Sequence, residues 1–156
     1  MATVQEYLSQ KKYDEFKTEL EFLKSTKRKE VAEDLDYARS LGDLSENAEY
    51  QEARESQANL EDRISKLENI IKNAIIVPDN HNTDKVSIGS QIIVQRVGEK
   101  ITKTFTIVGS EESDMATGKV SNRSPFGSAA LGMKKGETFT YTSPNGQISY
   151  KIIELK

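Results

Sequence analysis

Apolar residues in the first half of the chain recur at the spacing of coiled-coil helices. A first tract contains Tyr13, Phe16, Leu20 and Leu23 and, after a break at Lys27, Val31, Leu35 and Ala38. A second tract contains Leu60, Ile64, Leu67, Ile71 and Ala74. Spacings that alternate between three and four place such side chains along one seam of a helix. The pattern predicts antiparallel helices over residues 9–41 and 46–75, with Ser9 as the first N-cap and the turn at residues 42–45.

The second half has the pattern of strands and turns. Residues 1–77 contain one glycine and no proline, whereas eight glycines and all three prolines follow. Short runs rich in Val, Ile, Thr and Tyr predict strands over residues 90–97, 101–108, 119–120, 138–142 and 147–153. We therefore expect an α+β protein with a coiled-coil hairpin over residues 1–77, a polar linker over 78–85 and a small β-rich domain over 86–156.

Composition excludes several classes of function. The 156 residues include 22 basic and 25 acidic side chains, one histidine and no cysteine. Disulfides, thiol catalysis and cysteine-ligated metal sites are therefore excluded, as are paired-histidine metal sites. A net charge of −3 argues against indiscriminate nucleic-acid binding. Because no run of eighteen apolar residues and no signal-peptide pattern occurs, we expect a cytoplasmic protein without a membrane segment.

The turn between the two helices carries the most informative chemistry. Its surroundings contain eight acids against Arg39 and Arg54: Glu33, Asp34, Asp36, Asp43, Glu46, Glu49, Glu52 and Glu55. Asp43 and Glu46 have the spacing of a capping box at the start of the second helix. The same two carboxylates, one helical turn apart, also suit a hard cation such as Mg²⁺. Two carboxylates cannot fill an octahedron, so the second interpretation requires another molecule to complete the site.

A longer motif contains this pair. Residues 42–50 read Gly-Asp-Leu-Ser-Glu-Asn-Ala-Glu-Tyr and continue into Ala-Arg-Glu at 53–55. The second half adds Ile-Val-Gly at 107–109 and Ser-Pro-Phe-Gly at 124–127. Together these segments resemble the signature of the bacterial Gre transcript-cleavage factors, and the resemblance extends over nearly the whole chain.

The resemblance implies a role in transcription. In this family the coiled coil enters the secondary channel of bacterial RNA polymerase, and an FKBP-like C-terminal domain docks on the rim. The two tip acids of the family motif match Asp43 and Glu46, which would help to hold Mg²⁺ and its attacking water jointly with polymerase. The polymerase, rather than the factor, would then cleave the 3′ end of backtracked nascent RNA and release the arrested complex.

Two further surfaces are candidates for binding. The cluster of Lys24, Lys27, Arg28 and Lys29 is either a solvated helix face or, as the resemblance implies, a contact for the nascent RNA. The loop with Ser121, Ser124, Pro125 and Phe126 is either a surface turn or a polymerase-docking loop. We expect the free protein to be a monomer that does not bind Mg²⁺ stably by itself.

Other functions remain compatible with the sequence. The same scaffold could bind the polymerase channel without stimulating cleavage, or inhibit the enzyme. A structural adaptor that pairs its coiled coil with another helix would be indifferent to Asp43 and Glu46. Prolyl isomerase activity is suggested only by the FKBP-like fold, and a fold does not imply a function.

Overall fold

The computed structural model describes residues 5–43, 47–78 and 84–156. The chain divides into a helical unit, Tyr13–Asn73, and a β-rich unit that combines the chain up to Lys12 with Ala74–Lys156. These boundaries differ from the expected division at residues 77 and 86, because the N-terminal segment belongs to the β-rich unit. Residues 79–83 of the expected linker lie outside the described residues.

The helical unit contains two antiparallel arms, as the heptad pattern predicts. The first arm consists of α1 (Gln10–Phe22), a π-helical turn (Leu23–Lys27) and α2 (Arg28–Ser40), and the second arm is α3 (Ala48–Lys72). Ion pairs between the arms join Glu19 to Arg63 and Arg28 to Glu61. The later residue of the first arm pairs with the earlier residue of α3, which establishes the antiparallel arrangement.

The π-helical turn explains the break in the heptad pattern. Leu23 and Val31 are eight residues apart, one more than a heptad repeat allows. The main-chain N–H of Arg28 donates to the carbonyl of Leu23, five residues earlier. A turn of this width takes up one additional residue without ending the helix. The apolar seam is therefore continued on the same face beyond the irregular spacing.

The core of the hairpin follows most of the predicted seam. Its buried cluster consists of Val31, Leu35, Ala38, Ala53, Leu60 and Ile64. The prediction is wrong at the end of α3, where Ile70 is buried and Ile71 only partly so. It is also wrong for Ala74, which belongs to a strand, β2 (Ala74–Ile76). The heptad rule does not apply beyond Lys72 because the helix ends there.

The β-rich unit contains a five-stranded sheet. Its strands are β3 (Gln91–Arg96), β4 (Thr102–Val108), β5 (Lys119–Ser121), β6 (Thr138–Ser143) and β7 (Gly146–Leu155). The strand order is β5-β4-β3-β7-β6, with β4 and β5 parallel and the other neighbours antiparallel. A short helix, α4 (Pro125–Ala130), packs against the sheet through Phe126 and Ala130. The expected α+β class is confirmed.

Several contacts hold the N-terminal segment in the β-rich unit. Strand β1 (Glu6–Leu8) pairs in parallel with β2. Gly109 lies so close to Tyr7 that a Cβ atom there would overlap the Tyr7 carbonyl oxygen. Ser9 donates its main-chain N–H and its hydroxyl to the Glu112 carboxylate, at 2.9 and 2.7 Å. The same Ser9 hydroxyl accepts from the N–H of Lys12 at 3.1 Å, which confirms Ser9 as the N-cap of α1.

Candidate functional site

Asn47 begins the second arm at the end of the hairpin. Helix α2 ends at Ser40, and Gly42 has a φ of 124°, which only glycine adopts readily. Helix α3 begins at Ala48, and the Oδ1 atom of Asn47 accepts from the N–H of Tyr50 at 3.1 Å. Asn47, and not Asp43, is therefore the N-cap of α3.

Asn47 also contacts the other arm. Its Nδ2 atom donates to the main-chain carbonyl of Ala38 at 2.6 Å, near the C-terminus of α2. This carbonyl also accepts from the N–H of Leu41 at 3.2 Å, so Asn47 provides its second hydrogen bond, whereas the first N–H groups of α3 have no partner within the helix. An asparagine satisfies one group of each kind because it both donates and accepts, whereas a carboxylate only accepts. One side chain thus closes both helix ends at the turn.

We refer to the two hydrogen bonds of Asn47 as the Asn47 clasp. Asp43 is exposed in the turn beside it. It lines an open hollow of about 360 Å³ with Leu41, Asn47, Ala48 and Glu49. Glu46, the second predicted ligand, lies outside the described residues. In the described parts of the chain no three His, Cys, Asp or Glu side chains come together as a metal site. An exposed carboxylate such as that of Asp43 has the chemistry of a ligand for Mg²⁺ shared with another molecule, because Mg²⁺ accepts one or two protein carboxylates and keeps other oxygen ligands.

A tyrosine between two arginines lies beside this turn. Tyr50 is in the first turn of α3, is partly buried and packs against the hairpin core. The guanidinium of Arg39, in the last turn of α2, lies 6.0 Å from the centre of the Tyr50 ring. The guanidinium of Arg54, four residues after Tyr50, lies 5.9 Å from the same centre. Both distances are typical of cation–π contacts. Sequence reasoning noted these arginines but missed their shared ring, although the i, i+4 spacing of Tyr50 and Arg54 is a signal for it.

The predicted RNA-contact cluster is largely engaged in ion pairs. Lys24 pairs with Glu68 at 3.1 Å, Lys27 with Glu30 at 3.3 Å and Arg28 with Glu61 at 2.8 Å. The Arg28 contact uses two donors on two carboxylate oxygens, and these hydrogen bonds raise the pKa of Arg28 and lower the pKa of Glu61. For Lys29 the described residues provide no such partner. Contact with RNA stays a prediction for these four residues.

The predicted docking loop has one member in the core. Phe126 is buried, and its ring centre lies 4.9 to 5.5 Å from those of its aromatic neighbours: Phe105, Phe139, Tyr141 and Tyr150. The expectation of an exposed turn is therefore wrong for Phe126, because its ring fills the space between α4 and the sheet.

The remaining loop residues shape the turn before α4. Ser124 caps α4 by accepting from the N–H of Gly127 at 3.0 Å, and Pro125 is exposed. Ser121 ends β5, and its hydroxyl is 3.0 Å from that of Ser110. Docking through Ser121, Ser124 and Pro125 stays a prediction.

None of the helices in the described ranges has both the length and the apolar character needed to cross a bilayer.

Comparison with known proteins identifies the family. Residues 6–76 match the model "Transcription elongation factor, N-terminal", and residues 80–156 match "Transcription elongation factor, GreA/GreB, C-term". The chain is 42% identical to transcription elongation factor GreA of Geobacillus kaustophilus over 158 residues, which cover both chains completely. It is 45% identical to GreA of Clostridium acetobutylicum, with 96% of this chain and 94% of the relative covered. The chain therefore belongs to the GreA/GreB family of transcription elongation factors.

Proposed function

We propose that this protein stimulates the cleavage of backtracked nascent RNA by RNA polymerase and thereby releases arrested elongation complexes. The observation that carries the proposal is the exposed Asp43 carboxylate at the closed end of an antiparallel hairpin, in a chain of the elongation-factor family. Membership of that family implies that the protein is a transcription factor rather than a catalyst by itself.

The hairpin has dimensions suited to reaching a buried active centre. Helix α3 has 25 residues and is about 38 Å long at 1.5 Å per residue. The two arms of the hairpin are joined by a buried apolar seam and by ion pairs on the flanks. A narrow, stiff rod of this length can enter a channel and present its turn to the polymerase active centre. We propose that the turn enters this channel and that the β-rich unit does not.

At the active centre, Asp43 and Glu46 would hold Mg²⁺ jointly with carboxylates of the polymerase. When bound, that ion stabilises the attacking and leaving oxygens during hydrolysis of a phosphodiester. Asp43 contributes a negatively charged oxygen that is accessible from outside the hairpin. Asn47 contributes rigidity, because its clasp fixes the helix ends on either side of the turn. Helix ends that are already fixed lose little conformational entropy when they are placed in the active centre.

The β-rich unit would supply most of the polymerase affinity through the exposed turn around Pro125. We further propose that the protein acts in the cytoplasm, as a monomer, with the 3′ segment of nascent RNA as its second contact. The bacterial RNA polymerase is the partner that the family implies.

A transcript-cleavage assay on a stalled elongation complex tests the proposal. End-labelled RNA in a backtracked complex is incubated with polymerase alone, with the wild-type factor or with the Asp43→Asn variant, at limiting Mg²⁺. We expect rapid shortening of the RNA only with the wild-type factor. A factor that binds polymerase but leaves the cleavage rate unchanged would instead be a channel binder or inhibitor and would overturn the proposal.

A further inference from the structure

Two arginines beside the acidic turn differ from the other arginines of the chain. Four of the six form an ion pair with a glutamate: Arg28, Arg63, Arg96 and Arg123. Arg39 and Arg54 have no carboxylate partner among the described residues, although acids are frequent on both sides of them. Their guanidinium groups are exposed and lie instead against the ring of Tyr50. We refer to Arg39 and Arg54 as the tip arginine pair.

The ring holds both guanidinium groups in place. Tyr50 is anchored twice, by the bond from its N–H to Asn47 and by its packing against the hairpin core. Contact with an aromatic face restricts an arginine side chain but uses none of its N–H donors, since the attraction comes from the ring electrons. The tip arginine pair is thus ordered, while its hydrogen-bonding edges remain available to a ligand.

We propose that Arg39, Tyr50 and Arg54 form a binding site for backbone phosphates of the single-stranded RNA that is cleaved. The inference rests on the proposed function and names a ligand contact at the same end of the hairpin. A planar guanidinium binds phosphate oxygens through two parallel N–H donors, which matches the groups that the pair presents. The chemistry of the site therefore favours a phosphodiester.

Charge explains why such a site is required here. RNA is a polyanion, and the eight acids between residues 33 and 55 would repel it. The tip arginine pair supplies the only positive charges in that stretch of sequence. Two cations next to the carboxylates offset this repulsion at the place where the metal-binding acid must approach a phosphate. The basic cluster farther along the arm is less suited, because Lys24, Lys27 and Arg28 are neutralised by glutamates.

Photo-crosslinking tests the site directly. Backtracked elongation complexes with 4-thiouridine at the RNA 3′ end are irradiated with the Asp43→Asn factor, so that the RNA stays intact. The test protein adds Arg39→Gln and Arg54→Gln to this background, and the matched control adds Lys66→Gln and Lys72→Gln, two exposed lysines of α3 outside the predicted RNA-contact cluster, which remove the same charge. We expect the crosslink to the factor to fall roughly tenfold with the arginine variants, the effect of losing charged hydrogen bonds, and to stay within about twofold with the lysine control.

Two additional variants separate charge from structure. Arg39→Lys with Arg54→Lys should retain part of the crosslink, whereas Tyr50→Phe should retain nearly all of it because the ring is preserved. Far-UV circular dichroism checks the hairpin, and if the double glutamine variant loses helix, the single variants provide the same comparison. Competition with labelled wild-type factor measures polymerase binding, which should be unchanged.

An unchanged crosslink with the double glutamine variant would overturn the inference. So would weaker polymerase binding with an equal crosslink at saturation, which would assign the pair to a protein carboxylate. These outcomes are independent of the proposed function, which instead fails if the wild-type factor does not accelerate cleavage.

Discussion

The side-chain amide of Asn47 donates to the main-chain carbonyl of Ala38 across the turn of the hairpin, at 2.6 Å. The same side chain caps α3 through the N–H of Tyr50. The two bonds join the end of one helix to the start of the next, so Asn47 fixes the helix ends on either side of Asp43. Stability and activity should both depend on this residue, and they should respond differently to its replacement.

Substitution of Asn47 separates its two bonds. Asn47→Asp keeps the cap acceptor but loses the donor to Ala38, whereas Asn47→Ala loses both. We expect the alanine variant to lose about 1 to 2 kcal/mol of hairpin stability and the aspartate variant less, because aspartate is a good N-cap. Urea unfolding followed by helical ellipticity measures both. Equal stability of Asn47→Ala and wild type would contradict the clasp.

The carboxylate of Glu112 should control the N-terminal segment. Glu112→Ala removes both bonds to Ser9 and should increase hydrogen exchange of the amides of Leu8 and Ser9, with a loss of about 1 to 2 kcal/mol in local opening free energy. Glu111→Ala is the matched control, because this neighbour forms no such bonds among the described residues. Equal protection in both variants would show that the Glu112 carboxylate does not hold this segment.

The docking loop should respond at its surface and not at its buried ring. Pro125→Glu places a charge on the exposed first position of α4, where an acid is tolerated, and should weaken polymerase binding while the unit stays folded. Phe126→Ala should instead destabilise the β-rich unit by about 3 to 5 kcal/mol through loss of aromatic packing. Polymerase competition and thermal unfolding distinguish these effects. Wild-type affinity of Pro125→Glu would remove Pro125 from the docking surface.

Much of the architecture could be predicted from the sequence because it follows local rules. Alternating spacings of three and four define the seam from Val31 to Ile64, and β-branched residues define the five strands. The parallel pairing of β1 and β2 could not be predicted, because it joins residues 6–8 to residues 74–76 and has no local signal. The π-helical turn was visible only as an irregular spacing, which by itself does not distinguish a bulge from a helix end.

The candidate site was predicted less completely than the fold. The motif drew attention to Asp43 and Glu46, and the capping rule offered Asp43 as the N-cap of the second helix, a position that Asn47 has instead. Asn47, immediately before Ala48, is itself a capping signal. The spacing of Asp43 and Glu46, three residues apart, was the more conspicuous capping pattern. The ion pairs of Lys24 and Arg28 depend on the register of two distant helices, which sequence spacing along one helix does not determine.

The central claim is tested most directly by charge removal at the turn in the transcript-cleavage assay. Asp43→Asn and Glu46→Gln preserve side-chain size, and Asp43→Asn leaves the cap of α3 intact because Asn47 provides it. We predict that each variant competes for polymerase like the wild type but loses stimulated cleavage on the order of a hundredfold at limiting Mg²⁺, since a neutral amide is a poorer ligand for a hard cation. Cleavage by both variants at the wild-type rate would contradict the account.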